Sequence, residues 1–291
     1  MADFTVSTDV DTLMKSADNA TIKTQLDVVS PESVMNPMIE GMGLLNAFKG
    51  AAAAYSLRDI NGSNPNVVRV RRTNNPDEAD FTAADLASGA MLAWVGTGAT
   101  DDGHVVTWYD QSGNGNDATQ GTTTSQPKIV DGGVYLGEVK FDGVNDKLVK
   151  GTFTQGALSQ PNSIFAAGSM VGATGFIYDG VNSWSRNLLF KTSGSFYMFA
   201  GTSQIIAPED DNVHLFSNVF NQTTSDAYID GTLEASSVDV GTHTMGGITI
   251  GARYATSFGQ VSIKEIIIYS SDQSAPRTYI EYNINNAYSI Y

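Results

Sequence analysis

The apolar positions of this chain change period once. In its first fifty residues they recur at helical spacing. Leu13, Ala17 and Ala20 share one face of "DVDTLMKSADNATIKTQLD", and Ile22 and Leu26 stand four apart. "SPESVMNPMIEGMGLLNAFKG" then predicts a second helix, with Asn36 as N-cap, Pro37 at the first helical position and Gly50 as the stop. Met35, Met38, Ile39, Met42, Leu45 and Phe48 give it an apolar side. Helices this short are marginal alone, so that face predicts a docking partner.

From Ala51 onward the period falls to two. "AAAAYSLRDI" and "VVRVRR" flank the turn signals of "NGSNPN" and read as a hairpin. Ten more strand-like runs follow at short intervals, from "HVVTWYD" to "VSIKEIIIYS". "AYIDGTLEA" is a hairpin with Asp230-Gly231 at its tip. The wholly apolar end of "VSIKEIIIYS" predicts a strand covered on both faces. "SAPRTYIEYNINNAYSIY" predicts a closing helix from about Ser274 to Pro276 onward. The expectation is an all-β chain: a two-sheet jelly-roll sandwich over residues 51–291, preceded by a helical arm over residues 1–50.

Composition narrows the function. Charged residues make up only 16% of the 291, and there are 29 glycines, which suits many strands and turns better than a bundle. Sixteen basic against 31 acidic residues give a net charge of −15, a surface that repels nucleic acid and anionic lipid. With no cysteine, disulfides, thiolate metal sites and a cysteine nucleophile are excluded. No apolar run approaches the roughly 18 residues of a membrane span, and "MADFTVSTDVDTL" lacks the pattern of a signal peptide.

"TWYDQSGNGNDATQ" (Thr107 to Gln120) is the densest candidate for chemistry. Asp110, Ser112, Asn114 and Asn116 alternate around Gly115, the first half of a calcium-loop pattern, and Asp117 adds a further oxygen. Ca2+ is the candidate cofactor this spacing suggests, but the position of the closing glutamate is Gly121. The simpler reading is a structural corner, with Asp and Asn bonded to their own backbone and Trp108 and Tyr109 anchoring it. His104, His214 and His243 are the only histidines, with His104 and His243 in expected loops, and no serine elbow accompanies them. Trp184 in "DGVNSWSRN" and Tyr254 beside Arg253 are candidates for stacking on and orienting a glycan.

"AAAAYSLR", "VRVRR" and above all Trp108 to Gln120 resemble the catalytic sandwich of the α-L-arabinofuranosidase B family, in which a Tyr-Asp-Gln-Ser-Gly-Asn-Gly-Asn run is a hallmark. "ITIGARYATSFGQVSIKEIIIYSSDQS" resembles the end of a concanavalin A-like or laminin G-like jelly roll. The first resemblance implies a glutamate nucleophile in a Met-Glu-Asn-Asn strand and an acid aspartate after an Ile-Gly-Gly turn. Here Arg253 stands where that aspartate belongs, and Gly180 to Pro208 contains no Asp or Glu. Asp179, Glu209, Asp210 and Glu265 are the alternative carboxylates.

"DTLMKSADNATIKTQLDV" resembles a segment found near the start of bacteriophage tail-fibre and other virion proteins. Together the resemblances imply a non-enzymatic virion protein, made in the host cytoplasm and displayed on the particle exterior. Its arm would contact sister chains, as a trimer, or other virion proteins, and its sandwich would adhere to cell-surface glycans. The alternatives are an active glycoside hydrolase or depolymerase, and a purely structural virion protein.

Overall fold

The computed structural model describes residues 43–254 and 257–291. Leu13, Ala17, Ala20, Ile22, Leu26, Met38 and Met42 of the expected arm lie outside the described residues.

The described chain opens with helix α1 (Leu44–Ala47) and strands β1 (Ala51–Ser56), β2 (Asn66–Arg72) and β3 (Glu78–Thr82). Helices α2 (Ala83–Ala87) and α3 (Ala90–Val95) follow, then β4 (Gly103–Trp108), β5 (Ala118–Thr119), β6 (Lys128–Asp131), β7 (Val134–Asp142) and β8 (Leu148–Lys150). The middle of the chain forms β9 (Asn162–Met170), β10 (Thr174–Asp179), β11 (Leu188–Thr192), β12 (Ser195–Phe199), β13 (Ser203–Pro208) and β14 (His214–Phe220). Next come β15 (Ser225–Ile229), β16 (Thr232–Val238), β17 (Ile248–Ile250), β18 (Ala252–Arg253) and β19 (Ser257–Phe258). Strand β20 (Gln260–Tyr269) and helix α4 (Arg277–Tyr288) close the chain.

Pairing is antiparallel throughout the strands and builds two layers. In the first, β20 lies against β9 along one edge, and β9 continues to β14, β15 and β16. The other edge of β20 is shared: Gln260 to Ile263 pair with β7, and Glu265 to Tyr269 pair with β1. The second layer runs β3–β2–β4–β5–β8–β17–β10–β11–β12–β13. Strand β6 bridges the layers through β4 and β7. The core between them takes Ile164, Phe216, Ile263, Ile266 and Ile268 from one sheet and Val68, Trp108, Ile177, Leu189 and Ile250 from the other. This is the expected sandwich.

The apolar end of β20 is covered on both faces, as its pattern required. Ile266 and Ile268 enter the inter-sheet core, whereas Ile267 and Tyr269 join Phe165, Leu215, Ile280 and Ile284 beneath α4. Leu45, read as an arm residue, is buried in that second cluster, and its N–H donates to the Ile60 carbonyl at 2.9 Å. Of the long helix expected to end at Gly50, the described residues contain the four of α1.

The expected hairpin between "AAAAYSLRDI" and "VVRVRR" does not form. β1 pairs with β20, 209 residues away at Ser56 and Glu265, and β2 pairs with β3 and β4. The intervening turn folds on itself: Asp59 accepts from the N–H groups of Asn61, Gly62 and Asn64. All six β1 residues are buried, so the strand belongs beside the most apolar strand of the sheet rather than in a surface ribbon. The two helices after β3 were also unforeseen. Thr82 and Asp85 form a reciprocal capping box at the start of α2, and Gly89 in the left-handed region lets α3 begin directly afterwards.

Candidate functional site: an aromatic groove with two arginines

The outer face of the second sheet carries a row of apolar side chains at alternate positions. Phe176 on β10 lies opposite Phe190 on β11, Phe190 opposite Tyr197 on β12, and Tyr197 opposite Ile205 on β13. Phe176 and Phe190 stack with centroids 6.3 Å apart, and Phe190 and Tyr197 at 5.0 Å. Cross-strand rings of this kind form one continuous apolar surface. Its β-strand neighbours Leu189, Phe196 and Met198 point the other way, into the core.

At one end of the row the surface deepens into a cavity of about 160 Å³, lined by Phe176, Arg186, Leu188, Phe190, Phe199, Ser203 and Arg253. Arg186 organises its floor. Its guanidinium donates to both oxygens of the fully buried Asp179, Nε to Oδ1 at 2.9 Å and an Nη to Oδ2 at 2.7 Å. The same guanidinium lies 4.9 Å from the Phe199 centroid and 5.1 Å from that of Tyr254. The N–H groups of Gly180 and Tyr254 complete the acceptor shell of Asp179. Burial pushes the Asp179 carboxyl above its ordinary range, against the opposing pull of Arg186.

The rim is built from loops. Asn182 accepts from the N–H groups of Trp184 and Ser185, a tight turn that leaves the Trp184 side chain 79% exposed. The indole meets the His243 ring edge-on at 6.2 Å, and His243 in turn meets Phe199 at 5.7 Å. Burial, reinforced by Arg186, lowers the pKa of His243, so the imidazole is neutral at pH 7. Of the residues proposed from sequence, Arg253, on β18 rather than in a loop, lines the cavity; its neighbour Tyr254 packs on Arg186, and Trp184 lies outside the lining, joined to it through His243 and Phe199.

The sequence reading missed Arg186, Phe190, Phe199 and His243. Its available signal was in "LLFKT" and "SFYMF", where both alternating phases are apolar although only one can face the core. His104, expected in a loop, lies on β4 with Nδ1 3.2 Å from the Gln126 carbonyl oxygen.

The four alternative carboxylates meet different basic side chains. Asp179 binds Arg186, Glu209 lies 3.6 Å from Lys191, Asp210 meets His214 at 2.8 Å, and Glu265 receives two bonds from Arg58.

The Thr107 to Gln120 segment serves the edge of β1. Asp110 accepts from Ala54 N–H, Ser112 N–H, the Ser112 hydroxyl and Asn116 N–H, while Asp117 accepts from Asp110 N–H. Asn114 donates to the Ala51 and Ala52 carbonyls, and Asn116 donates to Ala52 and accepts from Thr154 N–H. Gln111 reaches the carbonyls of Ser56 and Arg58. Side chains therefore do for β1 what a further strand would do. A cation here would have to displace those N–H and O–H donors from Asp110. Among the described residues, no group of three or more His, Asp or Glu is arranged to hold a metal. Trp108 anchors the corner in the core; Tyr109 does not, its hydroxyl instead donating to Asp80 at the surface.

Among the described residues no helix is long and apolar enough to cross a membrane. No family model and no curated protein matches the chain. Among solved structures, an arabinofuranosidase complexed with arabinofuranosyl-α-1,2-xylobiose superposes with a TM-score of 0.63 at 13% identity, over 83% of this chain and 65% of that one. A GH54 α-L-arabinofuranosidase soaked with a cyclic sulfate inhibitor gives 0.62 at 14%, over 84% and 65%. A variant of such an enzyme soaked with 4-nitrophenyl α-L-arabinofuranoside gives 0.65 at 14%, with the same coverage. This chain thus spans about two thirds of the length of those enzymes and shares with them a jelly-roll sandwich fold.

Proposed function

We propose that this chain is a carbohydrate-binding sandwich that holds a saccharide without cutting it, carried on the exterior of a bacteriophage particle. The observation behind the binding half is the groove: aromatic rings and two guanidinium groups line it, and its buried acid is already bonded to Arg186. Retaining hydrolysis needs two carboxyl groups about 5 Å apart, one free to attack and one free to donate a proton. Asp179 is held in a bidentate pair, and the sequence resemblance sets Arg253 where that family's acid is expected. Ring faces and planar donors are instead the chemistry that grips a sugar's apolar face and hydroxyls. The virion half rests on the amino-terminal segment, whose partners would be sister chains, as a trimer, and other virion proteins. Many copies on one particle would strengthen weak single-site binding through effective concentration.

A glycan array probed with the full chain tests this. Trp184→Ala is expected to weaken binding about tenfold, the scale of one lost stacking contact, with no change in thermal stability because the indole is exposed. No reducing sugar should be released from the bound glycans. The hydrolase reading keeps one point in its favour, the likeness of fold to arabinofuranosidases. Release of 4-nitrophenol from 4-nitrophenyl α-L-arabinofuranoside, abolished by one carboxylate-to-amide change that leaves the melting temperature unchanged, would establish it. Binding to no glycan at all, with normal incorporation into particles, would leave the purely structural reading. Normal incorporation after removal of residues 1–42 would refute the attachment role of the arm.

A further inference from the structure

We infer that the saccharide taken by this groove is acidic, its carboxylate received by Arg253; the inference rests on the glycan-binding reading above and names the ligand class. Of the seven arginines, all described, six have partners in the fold. Arg58, Arg69, Arg72, Arg186 and Arg277 pair with carboxylates. Arg71 donates to the Gln126 side chain and the Thr123 carbonyl. Arg253 alone has no hydrogen-bonding or ionic partner among the described residues, and it is exposed on the cavity wall.

The electrostatics of the cavity point the same way. No Asp or Glu lines it, and the one acid beneath it is neutralised by Arg186. The groove therefore presents an uncompensated positive charge on a chain whose net charge is −15. An unpaired guanidinium offers a planar fork of N–H donors whose geometry matches a carboxylate bidentately. Phe176, Phe190 and Phe199 supply aromatic rings to the same cavity. The cavity is about 160 Å³, well below the roughly 300 Å³ at which drug-sized pockets begin, so it suits one sugar residue carrying its charge on the ring. A uronate, with its carboxylate on C5 of the pyranose, has that shape.

The test compares a tri-galacturonate with its fully methyl-esterified form by calorimetric titration of the full-length chain. Esterification removes the charge and preserves the ring. The free acid is expected to bind about tenfold or more tightly than the ester, the scale of one charge-assisted bidentate contact. Arg253→Gln should bring the acid down to the affinity of the ester, and Arg253→Lys should restore part of the difference. An unchanged melting temperature would show that both variants are folded. Equal binding of acid and ester, or an acid preference that survives Arg253→Gln, overturns the inference and leaves the glycan-binding reading standing. Tight binding of a sulfated or phosphorylated trisaccharide but not of the uronate overturns the assignment to a carboxylate. Failure of the uronate, the ester and every neutral glycan on the array removes both readings together.

Discussion

Asp179 and Arg186 are nearly inaccessible to water, and each is the other's counter-ion. Taking two charges out of water is costly, so the pair is held by geometry: two parallel N–H···O bonds, two backbone donors and two flanking rings. Removing one partner leaves the other charge stranded. Arg186→Met is therefore expected to destabilise the fold by about 3–5 kcal/mol, measured by urea denaturation at pH 7. Asp146, on the turn after β7, is strained in the opposite sense. Burial, with help from Asp142, pushes its pKa up to about 6. A folded-state value above the unfolded one means that the wild-type carboxyl is tolerated fully below about pH 4 and penalised increasingly as pH rises through 6. Asp146→Asn should accordingly leave stability unchanged at pH 4 and raise it by about 1 kcal/mol at pH 7.5, after allowance for solvent screening in the cleft that Asp146 lines with His104, Lys128 and Lys140. Equal effects at both pH values would refute the assignment.

At the scale of elements, the Thr107 to Gln120 corner behaves as a substitute strand. β1 uses one edge to pair with β20; its other edge would expose the Ala51, Ala52 and Ser56 carbonyls and the Ala54 N–H. Asp110 alone accepts four hydrogen bonds in covering it. Asp110→Ala should cost about 2–4 kcal/mol, since several buried donors lose their acceptor together. Hydrogen exchange should localise the loss to the Ala54, Ser112 and Asn116 amides. Addition of Ca2+ distinguishes the two sequence readings of this corner. A rise in melting temperature that disappears in Asp110→Ala would show an ion seated there, and no change would leave hydrogen bonding as the reason for these residue types.

For the molecule as a whole, β20 is the strand on which distant parts converge. It pairs with β1 near the start of the described chain, with β7 and β9 from the middle, and supports α4 on its outer face. Damage to that face should therefore be felt everywhere. Ile280→Ala removes a fully buried side chain from the cluster beneath α4 and should cost about 2–5 kcal/mol. Because both sheets share one core, near-ultraviolet and far-ultraviolet circular dichroism should still report a single coincident transition, shifted downward. Separate transitions for the two signals would mean that the layers fold independently.

What the sequence determined on its own was local. Period-two apolarity, Asp230-Gly231 and the apolar end of β20 specify strands, a tight turn and a doubly covered strand through steric and solvation rules acting over a few residues. Tertiary structure decided the pairings. Nothing near Ala51 states that its partner is Tyr269, and turn residues between β1 and β2 promised a hairpin that burial of β1 overrode. The groove belongs to the same class: Trp184 and Arg186 come from the β10–β11 loop, Phe199 from β12, His243 from the segment before β17 and Arg253 from β18. Their approach depends on which strands lie adjacent, a choice made by the burial of the whole apolar set rather than by any one segment.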